Sequence, residues 1–305
     1  MSKQEVVLVT GITGLIGAAV VQRLRAQGVA VVGMDRTAPV NADYPVITHE
    51  LPGPHRWHEV VVRYGVTRIV HAGGVSGPML LRDDPARVCD INLQAVVDAL
   101  EVCRIHGIRR MVWFSSINAY GEHPIDAVVD ESFPLRPTTV YGATKAAGEA
   151  LVGAYHAEHG VDAVALRVAS CYGPGRTTAC LIRTLVEDGL AGRVTRVGRA
   201  SNRTRQFIHI DDVVDGILGA LHAAELGQRS YNIAPGRVQT LDEIVAAVRL
   251  SVPAAAVEVC DDGMVWNTFP LGRLSIDAAR RDFGFQPRVA LETGVRRLRD
   301  ALVGG

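Results

Sequence analysis

Short, almost wholly apolar runs recur along the first half of the chain: VVLVT (6–10), VAVVGM (29–34), PVITHE (45–50), RIVHA (68–72), RMVWFSS (110–116) and DAVALRV (162–168). Between them, apolar positions return at helical spacing, at about 15–27, 56–64, 84–106 and 138–159. Strands that are apolar throughout, rather than alternating, have both faces covered, and their exchange with helices predicts a parallel sheet wound on both sides. The expected class is α/β, doubly wound. After Gly173 the rhythm breaks: a short helix at about 177–190, an Arg-rich loop, a strand end running into a helix at 207–224, a strand at 230–234, then short elements ending on a helix at 291–302. The main domain is therefore expected over 1–173, with 206–235 returning to it. Residues 174–205 and 236–305 are expected to build a smaller C-terminal domain, and no Ser/Gly-rich linker or repeat separates the two.

Composition narrows the class. An apolar share of 48%, a charged share of 21% and a mean hydropathy of +0.16 describe a globular protein with a full core. The formal net charge is zero, which speaks against nucleic-acid or membrane-surface partners, since both need a basic excess. Cys89, Cys103, Cys171, Cys180 and Cys260 form neither a C-x-x-C pair nor a cluster with histidine, so buried thiols are expected and no metal site. The uncharged run Val6–Val21 is too short to span a bilayer at ~20 residues and carries three glycines. No targeting segment is read, and a cytoplasmic location is expected.

Those glycines, Gly11, Gly14 and Gly17 in VVLVTGITGLIG, fall at a strand-to-helix turn. One permits the tight turn, one lets backbone approach a pyrophosphate, and one lets helix and strand pack closely. Asp35 ends the second strand, where a carboxylate accepts from ribose hydroxyls and repels a 2′-phosphate, so NAD is expected before NADP. Arg36 beside it offsets part of that repulsion.

Of 32 basic residues only Lys3 and Lys145 are lysine. Lys145 lies four residues after Tyr141 in VYGATKAAGEA, which on a helix puts both on one face. An ammonium and a cationic nicotinamide beside a phenol favour the phenolate, making Tyr141 a candidate base. A compact ammonium can also reach a ribose hydroxyl as a broad guanidinium cannot.

With TGITGLIG (10–17), HAGGVS (71–76), Asn92 in DINLQA, SSINAYG (115–121), YGATK (141–145), YGPG (172–175), RQFIHIDD (205–212), YNIAPG (231–236) and FGFQP (283–287), the chain resembles an extended short-chain dehydrogenase/reductase of the epimerase/dehydratase family over nearly its whole length. The resemblance implies a Rossmann-type sheet, a smaller substrate-binding domain, and NAD. It implies that Ser116 orients the reacting hydroxyl, Tyr141 is the acid/base, and Lys145 binds the nicotinamide ribose and depresses the tyrosine. It places Leu15 and Ile16 amides at the pyrophosphate, Glu50 and Leu51 near the adenine, Ala72, Gly73 and Gly74 along the cofactor cleft, Asn92 beside the nicotinamide, and Ser76 facing substrate. It also implies a homodimer through helices 84–106 and 138–159.

Departures from the family pattern bear on the reaction. Dehydratases and decarboxylases of the family resemble one another in an acidic residue two positions after the active-site serine or threonine; here Asn118 stands there, and a carboxamide cannot act as a carboxylate base. Ser170 replaces an asparagine that contacts a diphosphate in nucleotide-sugar enzymes, and WNTFPLGR (266–273) replaces an arginine-containing segment. Arg205 matches the family's anion-binding arginine, and Arg183 is a second candidate for a carboxylate. The residues 193–205 carry Arg193, Arg196, Arg199 and Arg203 as well, read as a solvated loop. The expected function is oxidation of a secondary hydroxyl of a sugar, sugar acid or similar anionic polyol, with a sugar or nucleotide-sugar epimerase as the alternative, and a non-catalytic NAD-binding sensor as a second alternative.

Overall fold

The structure is a computed structural model and describes residues 4–178, 180–199, 205–265 and 269–304. Lys3, Arg203 and the start of the 266–273 segment lie outside the described residues. The first half runs β1 (Val6–Thr10), α1 (Leu15–Ala26), β2 (Ala30–Asp35), β3 (Val46–Thr48), α2 (Pro54–Tyr64), β4 (Arg68–His71), α3 (Pro85–Cys89), α4 (Ala95–His106), β5 (Arg110–Ser116), β6 (Val128–Val129) and α5 (Val140–His159). The second half runs β7 (Ala163–Val168), β8 (Ser170–Tyr172), α6 (Leu181–Leu190), β9 (Val194–Gly198), β10 (Phe207–His209), α7 (Ile210–His222), β11 (Ser230–Ile233), α8 (Leu241–Arg249), β12 (Ala256–Cys260), β13 (Arg273–Leu274), α9 (Asp277–Phe283) and α10 (Leu291–Val303).

Seven parallel strands form one sheet in the order β11-β7-β5-β4-β1-β2-β3. The chain turns back on itself between β1 and β4, and in such sheets the crevice beyond the carboxyl ends at that switch point is where ligands bind. The apolar runs read in the sequence explain why the sheet is a middle layer: Val7, Val9, Val70 and Val112 point to one core, shared with α1 and α7. Leu8, Ile69, Met111 and Trp113 point to the other, shared with α2 and α4. A third core joins Leu181, Leu185, Ile244, Val248, Val295 and Leu298 from α6, α8 and α10.

Three differences from the expectation matter. The helix expected over 84–106 is interrupted by one π-helical turn, Asp90–Gln94, between α3 and α4. The stretch 236–305 holds α8, whose start carries a full capping box between Thr240 and Glu243, a local signal that went unread. Of the cysteines, Cys89 is exposed rather than buried, whereas Cys103, Cys171 and Cys180 are buried. Among the described residues no helix is long and apolar enough to cross a membrane.

Candidate active site

The turn from β1 into α1 is built to keep side chains out. Gly11 has φ +69, and a Cβ there would lie 2.6 Å from the Ala72 carbonyl oxygen; a Cβ on Gly17 would lie 2.1 Å from the Gly11 carbonyl oxygen. Backbone therefore lies flat against the end of β4. Gly14 is the N-cap of α1 and supplies no side chain to its first amides, and no acidic residue occupies the first turn. Leu15 and Ile16 thus start a helix whose positive end is open to an anion. Asp35 closes the turn: its carboxylate accepts from the Thr13 amide and hydroxyl, each at 2.8 Å, and from the Arg36 amide at 2.7 Å. This cradle, which a Cβ would fill, together with a carboxylate at its edge, fits a dinucleotide.

A cavity of about 630 Å³ runs from this turn across the carboxyl ends of the strands. Its walls include Gly11, Gly14, Leu15, Ile16, Gly17, Asp35, Arg36, Glu50, Leu51, Ala72, Gly73, Gly74, Ser76, Ser116, Asn118, Tyr141, Lys145, Ser170 and Arg205. Glu50 also pairs with Arg87 at 2.7 Å.

Two residues singled out in the sequence do not line it. Arg183 sits on α6, where Glu187 one turn later takes its guanidinium at 2.7 Å and the Arg176 carbonyl takes another of its donors, so it is held away from the cavity. Asn92 is buried behind the wall in the π-helical turn. Its Oδ1 accepts from the Val75 amide at 2.8 Å, and its Nδ2 donates to Thr144 Oγ1 at 3.2 Å and the Val75 carbonyl at 3.3 Å. It fastens the 73–76 loop to α5. Arg193, Arg196 and Arg199 face solvent, as the sequence suggested, and make surface ion pairs there with Asp188, Asp262 and Asp261; Arg196 lies in β9 rather than in a loop.

The sequence assigned no site role to Arg176, Thr177, Thr178, Phe207 or His71, all of which line the cavity. Arg176 follows the quoted YGPG directly and was within reach. His71 lies in the quoted HAGGVS; it is buried, hydrogen-bonded to Thr10 Oγ1 at 2.7 Å, and burial holds its imidazole neutral, with a pKa of about 3.

Ser116 ends β5, and Tyr141 and Lys145 lie one turn apart near the start of α5, which Thr139 caps by accepting from the Gly142 amide. The Tyr141 phenol lies close enough to the Ser116 side chain for that side chain to favour its ionised form. Asn118 donates to Ser116 Oγ through its amide at 3.2 Å and its carboxamide at 3.0 Å. Lys145 Nζ donates to the Phe114 carbonyl at 2.7 Å and lies 4.8 Å from the Trp113 ring centre and 5.7 Å from that of Tyr141. Exposure is 6% for Ser116, 8% for Tyr141 and 6% for Lys145, so all three face the cavity without facing bulk water.

That burial changes the expected electrostatics. It pushes the Tyr141 phenol up from its ordinary range, eased only by the Ser116 side chain. It brings Lys145 down to about 7, opposed by the negative charge of Glu149. Near neutral pH the amine is shared between its two forms, so the protein's own groups do not favour the phenolate that the Tyr141–Lys145 spacing suggested.

A Rossmann-type sheet with a glycine turn, an acidic residue closing β2, and a serine, tyrosine and lysine gathered at the strand ends defines a short-chain dehydrogenase/reductase of the extended type. Comparison with known proteins agrees. The sequence model described as NAD dependent epimerase/dehydratase family matches residues 7–234, and the chain belongs to that family. Its cofactor is NAD. The chain is similar to UDP-glucuronate 4-epimerase 1 of Arabidopsis thaliana, 26% identical over 95% of this chain and 75% of that protein. It is similar to the UDP-glucose 4-epimerase of Mycolicibacterium smegmatis, 28% identical over 94% of this chain and 95% of that protein. The crystal structure of the UDP-glucose 4-epimerase of Thermus thermophilus in complex with NAD superposes with a TM-score of 0.87 at 25% identity, covering 98% of this chain and 99% of the other.

Proposed function

We propose that the protein is an NAD-dependent epimerase that inverts a secondary hydroxyl of a nucleotide-linked sugar, with C4 of a UDP-hexose or UDP-hexuronate as the position and class best supported by its relatives. The observation that carries this reading is that Ser116, Tyr141 and Lys145 line one cavity together with the glycine turn and Arg205, Tyr141 and Lys145 standing one turn apart on α5. The comparisons move the balance from net oxidation, the first expectation from sequence, to its epimerase alternative.

In this reading Gly11, Gly14, Leu15, Ile16 and Gly17 hold the NAD pyrophosphate, Asp35 accepts from its ribose, and Glu50, Leu51 and the 72–74 strand end flank the rest. When bound, NAD supplies a reversible acceptor for the hydrogen at the carbinol carbon. Ser116 holds the sugar hydroxyl, and Tyr141 takes the proton from its oxygen. After the sugar presents its other face, Tyr141 returns that proton to the same oxygen, so the alcohol is inverted with no net redox change. Lys145 sits where its ammonium reaches a ribose hydroxyl and stabilises the charge that develops on Tyr141. Asn118, lacking a carboxylate, gives no second proton acceptor for elimination. Segments 174–205 and 236–305 form the substrate-binding part, with Ser76, Ser170 and Arg205 toward the sugar and its anionic linkage.

The test is incubation of the NAD-loaded protein with UDP-glucose and with UDP-glucuronate, reading the product by NMR and NADH by absorbance. Appearance of the C4 epimer without net NADH is expected; NADH formed in step with a keto product and no epimer would restore the oxidation reading. Ser170, in place of an asparagine, favours one variant of the reading, a smaller anionic sugar without the diphosphate. Sugar acids in the same assay decide between them. The pairing through α4 and α5 is part of the proposal, supported by Ala143, Ala147, Ala150 and Ala154, which α5 leaves exposed along one side. Light scattering should give the mass of a dimer.

A further inference from the structure

Behind Lys145, away from the cavity, a second carboxylate-centred cluster is buried, and the proposed mechanism has not used it. Glu149 is the next residue along the same helical face as Tyr141 and Lys145, spaced i, i+4, i+8, and is 7% exposed. Its carboxylate accepts from Arg167 Nη2 at 2.6 Å and from Arg167 Nε at 2.9 and 3.0 Å, from Ser230 Oγ at 3.0 Å, and from Ser115 Oγ in a short contact. Arg167 is on β7, Ser230 on β11, and Ser115 immediately precedes Ser116 on β5. One side chain on α5 is thus bonded to three neighbouring strands at the depth of the site.

We infer that Glu149 is a positioning residue for the Ser116–Tyr141–Lys145 group, tying the strand end that carries Ser116 to the helix face that carries Tyr141 and Lys145, and setting a negative charge one turn behind the lysine. The inference rests on the proposed use of those three residues, but its geometry does not. Ser115 and Ser116 point to opposite sides of β5, as successive strand residues must. The bond from Ser115 to Glu149 ties this strand end to the helix that carries Tyr141, and Ser116 lies beside Tyr141 one residue further on. A slip of β5 along α5 would break both contacts together.

The charge has a second effect. Lys145 meets the Phe114 carbonyl and the Trp113 ring from β5, Tyr141 and Glu149 from its own helix, and the neutral His71 from β4; Arg167 from β7 lies beyond Glu149 and is turned to it and to Tyr120. Within that set Glu149 is the charge that favours the ammonium over the amine. A carboxylate fully bonded on its far side is held in place and cannot swing to the lysine to quench it, so the amine stays available to the cavity.

Only two lysines occur in the chain, so protein labelled with ¹³C-lysine gives two Cε signals, and Lys3→Arg assigns them. The pH titration of the Lys145 signal needs neither substrate nor NAD, and so can fail or succeed independently of the epimerase assay. In Glu149→Gln, which keeps the shape and an acceptor for Ser115 but loses the charge, the Lys145 midpoint should move to lower pH by about one unit. The alkaline fall in turnover should move with it, leaving KM for the sugar little changed. Should Glu149→Gln not fold, Glu149→Asp, which withdraws the charge by one methylene, should shift the midpoint in the same direction by less. A midpoint equal to that of the unaltered protein in whichever variant folds overturns the inference.

Discussion

Lys145 occupies a position where a charge is costly. With its pKa lowered from 10.5 to about 7, the folded chain gives up between those values a proton that the unfolded chain keeps. Stability from this residue therefore rises with pH from about 7 toward 10.5, and the loss on acidification runs over that same window and is complete at about 7. Lys145→Met should raise the urea midpoint at pH 7, by about 1–4 kcal/mol of stability, flatten that pH dependence, and lower turnover by at least ~100-fold. An unmoved urea midpoint would remove burial as the cause of the lysine's acidity. Tyr141→Phe separates chemistry from binding at the same site: the ring stays packed and the proton acceptor is lost. Turnover should fall by about 10²–10⁴-fold with NAD affinity, measured by calorimetry, within a factor of two or so.

At the scale of elements, the close approach of α1 to the Gly11 turn, and of that turn to the residues following β4, is the feature on which the cofactor cradle depends. A Cβ on Gly17 meets backbone, not a flexible side-chain tip, so relief requires the helix start to move away from Gly11. Gly17→Ala should weaken NAD binding by at least ~10-fold, consistent with one lost close hydrogen bond to a charged group, and an affinity equal to that of the unaltered chain would show the turn to be more compliant than its contacts imply. This turn was legible from VVLVTGITGLIG because spacing, strand and helix are all local. The π-helical turn at Asp90–Gln94 was not legible, since it exists to bring Asn92 to Val75 and Thr144, residues distant in sequence. Arg183 is the opposite case: its type suited a carboxylate, and the carboxylate it meets is Glu187, one turn along α6 and visible in the same short stretch of sequence. The pairing of β9 with β12, which joins residues some sixty apart, has no local signal of its own.

Across the whole molecule the cavity is shared: its walls come from the strand ends of the seven-stranded sheet and from Arg176–Thr178, Cys180, Leu181, Arg205 and Phe207, of which Cys180, Leu181 and Phe207 belong to the separate core of α6, α8 and α10. A ligand touching both walls stabilises the folded chain by RT ln(1 + [L]/Kd), about 2.7 kcal/mol at 100 times Kd, or roughly 5 °C in Tm for a chain of this size. NAD and a UDP-sugar reach different parts of that surface in the proposed reading, so their shifts should add when both are present. Arg205 lines the same cavity as the glycine turn and, in the proposed reading, takes the anionic linkage of the sugar rather than NAD. Arg205→Ala should therefore leave the NAD-induced rise in Tm intact and remove most of the further rise given by UDP-glucose or UDP-glucuronate, with a matching increase in KM of about 10-fold or more. Equal loss of both shifts would mean that Arg205 supports the fold rather than the ligand. Loss of neither would move the anionic end of the substrate away from this arginine and toward the Arg176–Thr178 wall.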